Sequence, residues 1–389
     1  MKRKALWISI IGILLIGFVC LFCYRHYIRQ KQIEQKKHTG LVSEDFPIQD
    51  IKHQSQNIYE DAYQTEADNQ LQNMRNNNSY TIEDPLLVWN PYGTNTGSFY
   101  YYGVSEQDSY VVCEVTCNNG SVIKHRLKND SDSGVTKTHE YLITGLAPGL
   151  ENHFSLAFYD AGNNLIHTYQ YTVTLKKDKQ IPAITKVEKG NSKSSLTDGL
   201  FAVLGHDKSK AKNIYYYDNN GICRGKTPLN DYRTDRILTI DGKLVYSYSL
   251  TDIAFVNRLV KVEKTLSLGK YELHHDFMYD EKRNELLCLV NDTDKDTIED
   301  VLISVNIETG KIKKLVDFEK MMKSMRKRSV QRKGGKNTYG GTELDWLHLN
   351  SLDMINDKDA VFSSREESVI IKINNIYENP SIDYLIHSG

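Results

Sequence analysis

Val301-Leu302-Ile303-Ser304-Val305-Asn306-Ile307 is followed by Glu308-Thr309-Gly310 and then by Lys311-Ile312-Lys313-Lys314-Leu315-Val316. Short runs rich in Val, Ile and Leu have strand composition. A Gly-containing break between two of them closes an antiparallel hairpin. The same rhythm recurs upstream. Ile214-Tyr215-Tyr216-Tyr217 leads into Asp218-Asn219-Asn220-Gly221, and residues 237–240 lead through Asp241-Gly242 into 244–248. Residues 286–290 follow Asp280-Glu281-Lys282-Arg283-Asn284. Hairpins repeated in this way over residues 180–389 predict a β-propeller.

An internal similarity supports that reading. His274-His275-Asp276 precedes a turn and the strand 286–290, while His348-Leu349-Asn350 precedes Asn356-Asp357-Lys358-Asp359 and the strand 360–364. The two segments stand 74 residues apart. Residues 321–344 read as an insertion between them, and without it the spacing is about 50 residues, roughly one blade. The insertion carries Lys323, Arg326, Lys327, Arg328, Arg332, Lys333 and Lys336 with no acid among them. It is expected to be an exposed loop; a patch for nucleic acid or anionic lipid, or a rim beside an anionic substrate, are its rivals.

Residues 80–179 have a different character. Leu86-Leu87-Val88-Trp89 runs into the turn Asn90-Pro91-Tyr92-Gly93. Strands are expected at 99–104, at 110–116 before Asn118-Asn119-Gly120, and at 141–143 before Gly145-Leu146-Ala147-Pro148-Gly149. Two more, at 153–159 and 167–175, flank Asp160-Ala161-Gly162-Asn163-Asn164. Short strands at this spacing predict a small β-sandwich, acting as spacer, lid or dimer surface. Residues 30–79 are polar; Ile48, Ile51, Ile58 and Tyr59 give a loose helical pattern that reads as a stalk ending at Asn76-Asn77-Asn78-Ser79.

The N-terminus adds a membrane element. Residues 5–24 hold no charge and are mostly apolar. As a helix they span about 30 Å, the hydrocarbon thickness of a bilayer. Residues 1–29 are therefore expected to be an uncleaved single-pass anchor in the cell membrane, with the bulk of the chain extracellular. Its apolar stretch is longer than the core of a usual signal peptide, and no small-residue cleavage site follows.

Composition bounds the rest. Lys and Arg number 49 against 50 Asp and Glu, so no bulk charge draws the chain to nucleic acid. The 25 Tyr set against seven Pro favour β structure. Six Cys in 389 residues exclude a disulfide-dense scaffold; Cys20 and Cys23 fall in the apolar segment, and among the remaining four no Cys-x-x-Cys occurs, which argues against structural zinc.

Two segments combine imidazole with other anion-binding groups: Leu273-His274-His275-Asp276, and Asp345-Trp346-Leu347-His348-Leu349-Asn350-Ser351 followed by Ser363-Ser364-Arg365-Glu366. A single histidine on a blade is as a rule a satisfied structural group. In the second segment, however, the period of two puts His348 and Asn350 on one strand face. Arg365, at the edge of the next strand, converges with them on the channel that inner strands line. Imidazole, carboxamide and the planar guanidinium fork are donors for an oxyanion. No calcium loop and no phosphate loop ending in Gly-Lys-Ser/Thr is present. Zinc held by His274, His275 and His348 is a rival, but neighbours on a strand point to opposite faces, and no metal is expected.

From about Tyr80 onward the chain resembles the bacterial arylsulfate sulfotransferases. The likeness rests on residues 85–93 and Ile143-Thr144-Gly145-Leu146 in the first half, and on the two histidine segments with Ser363-Ser364-Arg365-Glu366 in the second. It implies a small sandwich followed by a six-bladed propeller. It also implies transfer of a sulfuryl group from a phenolic sulfate ester to a phenol acceptor, with no phosphoadenosine donor or other cofactor, by ping-pong through a sulfated histidine. His275, His348, Asn350 and Arg365 would hold the sulfate, with His348, His275 and Arg365 catalytic; His275 is preferred to His274 because it directly precedes the Asp. Family members can also form homodimers. In the family the sulfated histidine lies several tens of residues beyond the Ser-Ser-Arg-Glu motif, whereas 24 residues follow Arg365 here, and His387 is not assigned the role. The stretch 180–389 holds about four blades of the six. The expectation is a truncated form, inactive alone. A second reading is a non-catalytic, membrane-anchored surface protein that binds sulfated aromatics or a protein partner.

Overall fold

A single long strand organises the first half of the protein. In this computed structural model, which describes residues 41–42, 49–129, 134–181, 188, 190–191, 199–204, 212–231, 234–333 and 344–387, β3 runs from Ser98–Cys117. Its first half pairs with β2 (Leu86–Trp89) and β5 (Thr136–Thr144). Its second half pairs with β4 (Ile123–Arg126) and β6 (Glu151–Tyr159). β7 (Leu165–Thr174) adds to β6, and β1 (Leu41–Val42) adds in parallel to β7. The sequence suggested two strands at 99–104 and 110–116. They are one, because the irregularity between Val104 and Ser109 bends the ladder without ending it. Residues at alternate positions, among them Phe99, Tyr101, Val111, Cys113 and Val115, fill the core between the two halves.

The polar segment before this does not stand clear as a stalk. Helix α1 (Asp61–Asn77) turns Tyr63, Gln64, Ala67 and Leu71 inward, a helical stripe. Ala67 and Leu71 pack on Leu86, Val88 and Tyr100. Gln64 is 1% exposed yet fully used: its Nε2 donates to Ile58 O and Tyr92 O, and its Oε1 accepts from Val262 N at 3.0 Å. The apolar segment expected to be an anchor, 5–24, lies outside the described residues. Among the described residues no helix is long and apolar enough to cross a membrane.

The second half is a series of small antiparallel sheets in chain order. Three strands form the first: β8 (Phe201–Val203), β9 (Asn213–Tyr217) and β10 (Cys223–Pro228). Three four-stranded meanders follow. They are β11 (Ile237–Ile240), β12 (Lys243–Ser247), β13 (Asp252–Val256) and β14 (Val262–Ser267); β15 (Tyr271–Asp280), β16 (Glu285–Asp292), β17 (Val301–Asn306) and β18 (Ile312–Asp317); and β19 (Leu349–Met354), β20 (Ala360–Ser364), β21 (Val369–Asn374) and β22 (Ser381–His387). Apolar side chains of one meander pack on the next, as Phe255 and Leu266 do with Phe277 and Leu286. The first strands, β11, β15 and β19, neighbour one another in turn. The fold is mainly β and propeller-like. The four described cysteines, Cys113, Cys117, Cys223 and Cys288, are buried and unbridged.

The basic insertion is helical where it is described. Short α2 (Phe318–Met321) starts on Asp317, whose side chain accepts from Lys320 N, and α3 (Lys323–Lys333) continues it. Phe318 and Met322 are buried in the core shared with Trp346 and Phe362. Ser329 is also buried, and its hydroxyl donates to Trp346 O at 3.2 Å.

An arginine fastens the two halves together. Arg224 donates from Nε to Asp218 Oδ2 at 2.7 Å, from Nη1 to Gly145 O at 2.7 Å, and from Nη2 to Ser121 O. Both side chains of the pair are wholly buried. Beside them Gly97 approaches so closely that a Cβ would fall 1.8 Å from Arg224 O, so only glycine fits there.

Asp292 pins three strands of one meander, pairing with Lys270 Nζ at 2.6 Å and Lys314 Nζ at 2.9 Å. Burial raises its carboxyl, but the two ammonium groups outweigh this and hold it at about 2. Its contribution is thus fully present above the unfolded value, about 3.9, and is lost as pH falls through the folded one. Asp292→Asn is expected to lower unfolding free energy by about 1 kcal/mol near neutrality, a deficit that shrinks at about pH 3 when both proteins are compared by urea titration.

Candidate functional site

Both histidine segments sit at the first strand of a meander, where the regular ladder is interrupted. In β15, Leu273 faces Val290 and Phe277 faces Cys288, so His274, His275 and Asp276 together oppose Leu289. This bulge cancels the strict alternation of faces. It brings the rings of His274 and His275 to 5.4 Å between centroids, edge to face, instead of sending them to opposite sides. In β19, Leu349 faces Ser364 and Ser351 faces Ser363, which leaves Asn350 as an extra residue.

Backbone conformation aims the side chains. His275 (φ 53°), Glu299 (φ 58°) and His348 (φ 51°) all adopt the left-handed region. For non-glycine residues this costs on the order of 1 kcal/mol each and persists only where surroundings impose it. Here they do. His275 N donates to Asp235 Oδ2 at 3.1 Å, Glu299 N donates to Asn291 Oδ1 at 2.7 Å, and Leu349 N donates to Glu299 O at 3.1 Å. His348 O accepts from Arg365 N at 2.9 Å. Asp276 locks the bulge: one carboxylate oxygen pairs with Arg236, and the other accepts from Leu352 N at 3.0 Å.

The side chains then meet. His275 Nε2 and His348 Nε2 are 2.8 Å apart. His348 Nδ1 donates to Asp345 Oδ2 at 2.9 Å and also contacts Glu299 Oε2. Arg365 Nη2 donates to the same Asp345 oxygen at 3.2 Å, while its Nε donates to Glu366 Oε1 at 3.0 Å. His348 is buried, His275 keeps a quarter of its side chain exposed, and Arg365 rather more.

Charge states follow from these contacts. Burial disfavours the imidazolium of His348, but hydrogen bonds and charge from Asp345 and Glu299 overcome it and hold the group at about 9. Protonated on both nitrogens, it donates from Nε2 to His275. His274 goes the other way. Burial, then the neighbouring His275 and His348, push it well below the ordinary value, so it is neutral.

Of the residues singled out from the sequence, His275, His348 and Arg365 converge around Asp345. Asn350 does not share the buried face of His348. The left-handed turn at His348 and the bulge after Leu349 break the period of two, and Asn350 is exposed. Glu299 was not legible, because it enters from the connection between β16 and β17 and no motif marks it. Asp345 stood inside the quoted string without a role. Two trios present ligand atoms within 4.8 Å of one another: His274, His275 and Glu299, and Glu299, Asp345 and His348.

The comparisons with known proteins address the family. The Arylsulfotransferase (ASST) family profile matches residues 185–388, more than half of the chain, including every residue of this cluster. No curated protein matches the sequence. Among solved structures, the Cps50 (Swd1) beta-propeller domain of Myceliophteria thermophila aligns at 10% identity and TM-score 0.30, covering 80% of this chain and 88% of that one. A chain of the Mitotic Checkpoint Complex aligns at 9% identity and TM-score 0.31, covering 80% and 78%. Likeness at that level fixes neither fold nor function. The family match does more, and its place over the meanders and their histidine cluster makes this chain a member of the arylsulfotransferase (ASST) family.

Proposed function

We propose that the chain moves a sulfuryl group from a phenolic sulfate ester to a phenol acceptor, and that the cluster of His275, His348 and Arg365 receives the group. The observation that carries this reading is the convergence of His348, held by Asp345 and Glu299, with His275 at 2.8 Å and with Arg365 on the same Asp345 oxygen. A sulfuryl transition state resembles a phosphoryl one, with little covalent work for the protein and much positioning and charge stabilisation. Arg365 offers its fork to the equatorial oxygens. His348 and His275 stabilise the phenolate leaving oxygen or return a proton to it. Fixed donors of this kind supply about 3 kcal/mol each at the transition state.

The ping-pong form of the reaction completes the reading. A neutral histidine nitrogen attacks sulfur as the S–O bond to the departing phenol breaks and the leaving oxygen takes a proton from His348; the acceptor phenol then returns a proton to His348 as its oxygen attacks sulfur and the N–S bond breaks. His387, at the end of β22, is not given the nucleophile's role. The meanders would be blades of a propeller preceded by a sandwich over 80–179. Residues 5–24 would anchor the chain in the cell membrane with the remainder outside. Homodimers belong to the same reading.

Incubating the whole chain with 4-nitrophenyl sulfate tests the proposal. Release of nitrophenolate that depends on added phenol is expected, and Arg365→Lys should lower kcat/KM on the order of 100-fold. Absence of acceptor-dependent release at any enzyme concentration would sink it. Binding should also follow the charge on His348. The folded protein holds this group at about 9, so the imidazolium that an anion meets is intact well below that value and disappears as pH rises through it. Affinity for inorganic sulfate, measured by calorimetry with chelator present, should therefore fall above about pH 8, and Asp345→Asn should move that fall to lower pH.

A further inference from the structure

One histidine of the cluster has no part in the reading above. His274 is 6% exposed, and neither of its ring nitrogens has a hydrogen-bond partner among the described residues. A neutral imidazole carries one N–H donor and one lone pair, and buried polar groups are nearly always paired. His139, in the first half, obeys that rule. It is wholly buried, with Nε2 against the hydroxyls of Ser105 and Ser109 at 2.9 and 3.1 Å and Nδ1 against that of Tyr141 at 3.1 Å. His274 departs from it although its position is closely defined. The bulge that Asp276 locks holds the ring edge to face with His275. A nitrogen of His274, a nitrogen of His275 and an oxygen of Glu299 lie within 4.8 Å of one another, so the unpaired ring faces the polar cluster.

The ring beside it is one that a substrate must displace. His275 and His348 meet nitrogen to nitrogen at 2.8 Å, which leaves no room between them for an oxygen of a sulfuryl group. For both to hold that group, the two rings have to part. His348 is buried and fixed by Asp345, whereas His275 keeps a quarter of its side chain exposed, so His275 is the ring free to turn. Hydrogen bonds of this kind commonly form only once a ligand is in place. Turning His275 opens the cluster next to the unpaired nitrogens of His274.

We propose that His274 is a donor reserved for the transferred group: once His275 turns aside for the substrate, a ring N–H of His274 bonds to a sulfuryl oxygen. The inference rests on the anion site of the reading above and adds a residue to it. A neutral donor fixed in a buried site stabilises charge on that oxygen without placing a further cation beside His348 and Arg365.

Two substitutions in the whole chain separate this role from packing. His274→Leu removes the donor and keeps most of the volume, while His274→Gln keeps a side-chain N–H. Affinity for inorganic sulfate is measured by calorimetry, phenol-dependent release from 4-nitrophenyl sulfate by absorbance, and stability by urea titration. His274→Leu should weaken sulfate binding about 10-fold and lower kcat on the order of 100-fold, the cost of one fixed donor to an anion. It should unfold no more easily than the parent, because it removes an unpaired buried polar group. His274→Gln should bring sulfate affinity back to within about three-fold of the parent. A His274→Leu protein that binds sulfate as the parent does overturns the proposal. So does one that unfolds at markedly lower urea, which makes the ring a packing element, or a Gln variant as weak as the Leu one. A parent that binds sulfate but shows no phenol-dependent release removes the transfer reading alone; a parent that binds no sulfate removes both.

Discussion

The carboxylate of Asp276 is the contact on which the second half depends. It leaves the β15 bulge and reaches in two directions at once, to Arg236 just before β11 and to the backbone of Leu352 in β19. Three successive meanders are therefore tied through one side chain that is itself 6% exposed. A buried charge is tolerable only when hydrogen-bonded on every side, and this geometry meets that condition. The same bond shapes the candidate site, since the bulge it stabilises is what turns the two neighbouring histidines toward Glu299 and His348.

Strain and electrostatics are coupled around that point. Left-handed conformations at His275, Glu299 and His348 are unfavourable taken singly, and each is held by main-chain hydrogen bonds from a different element. What this secures is the contact of the buried His348 imidazolium with His275, and the closeness of His275 to His274, two rings that a regular strand would leave on opposite faces. Asp345 serves both His348 and Arg365 through one oxygen, so the guanidinium's position and the histidine's charge are not independent.

Much of the architecture was legible because hairpins announce themselves locally. The expected strands at 237–240, 312–316 and 360–364 coincide with β11, β18 and β20 to within a residue. Apolar runs between Asp-, Asn- and Gly-rich turns carry that information without help from distant residues. Three features were hidden for physical reasons. The helix at Asp61–Asn77 is too polar to look packed, and its burial comes from only a few inward residues, one of them a glutamine that bonds across to β14. The continuity of β3 depends on partners that change along its length. The basic stretch reads as loop by charge, yet Phe318 and Met322 anchor its helical start in the core. At the site, the motifs found His275, His348 and Arg365, but a period-of-two argument cannot foresee a bulge. Hence it misjudged both the relation of His274 to His275 and that of Asn350 to His348.

Arg224 has a further meaning for how such a protein could change over generations. Its guanidinium leaves the β9–β10 hairpin and ends, wholly buried, on two carbonyls of the first half, those of Gly145 and Ser121. Gly97, in the first half, has no side chain and so admits the opposing backbone. A lineage that lost the first half by gene deletion would take away both carbonyl partners of Arg224 and uncover the surface that Gly97 packs against. Neither half is thus a freely shuffled module, and the two are constrained to be inherited as a pair.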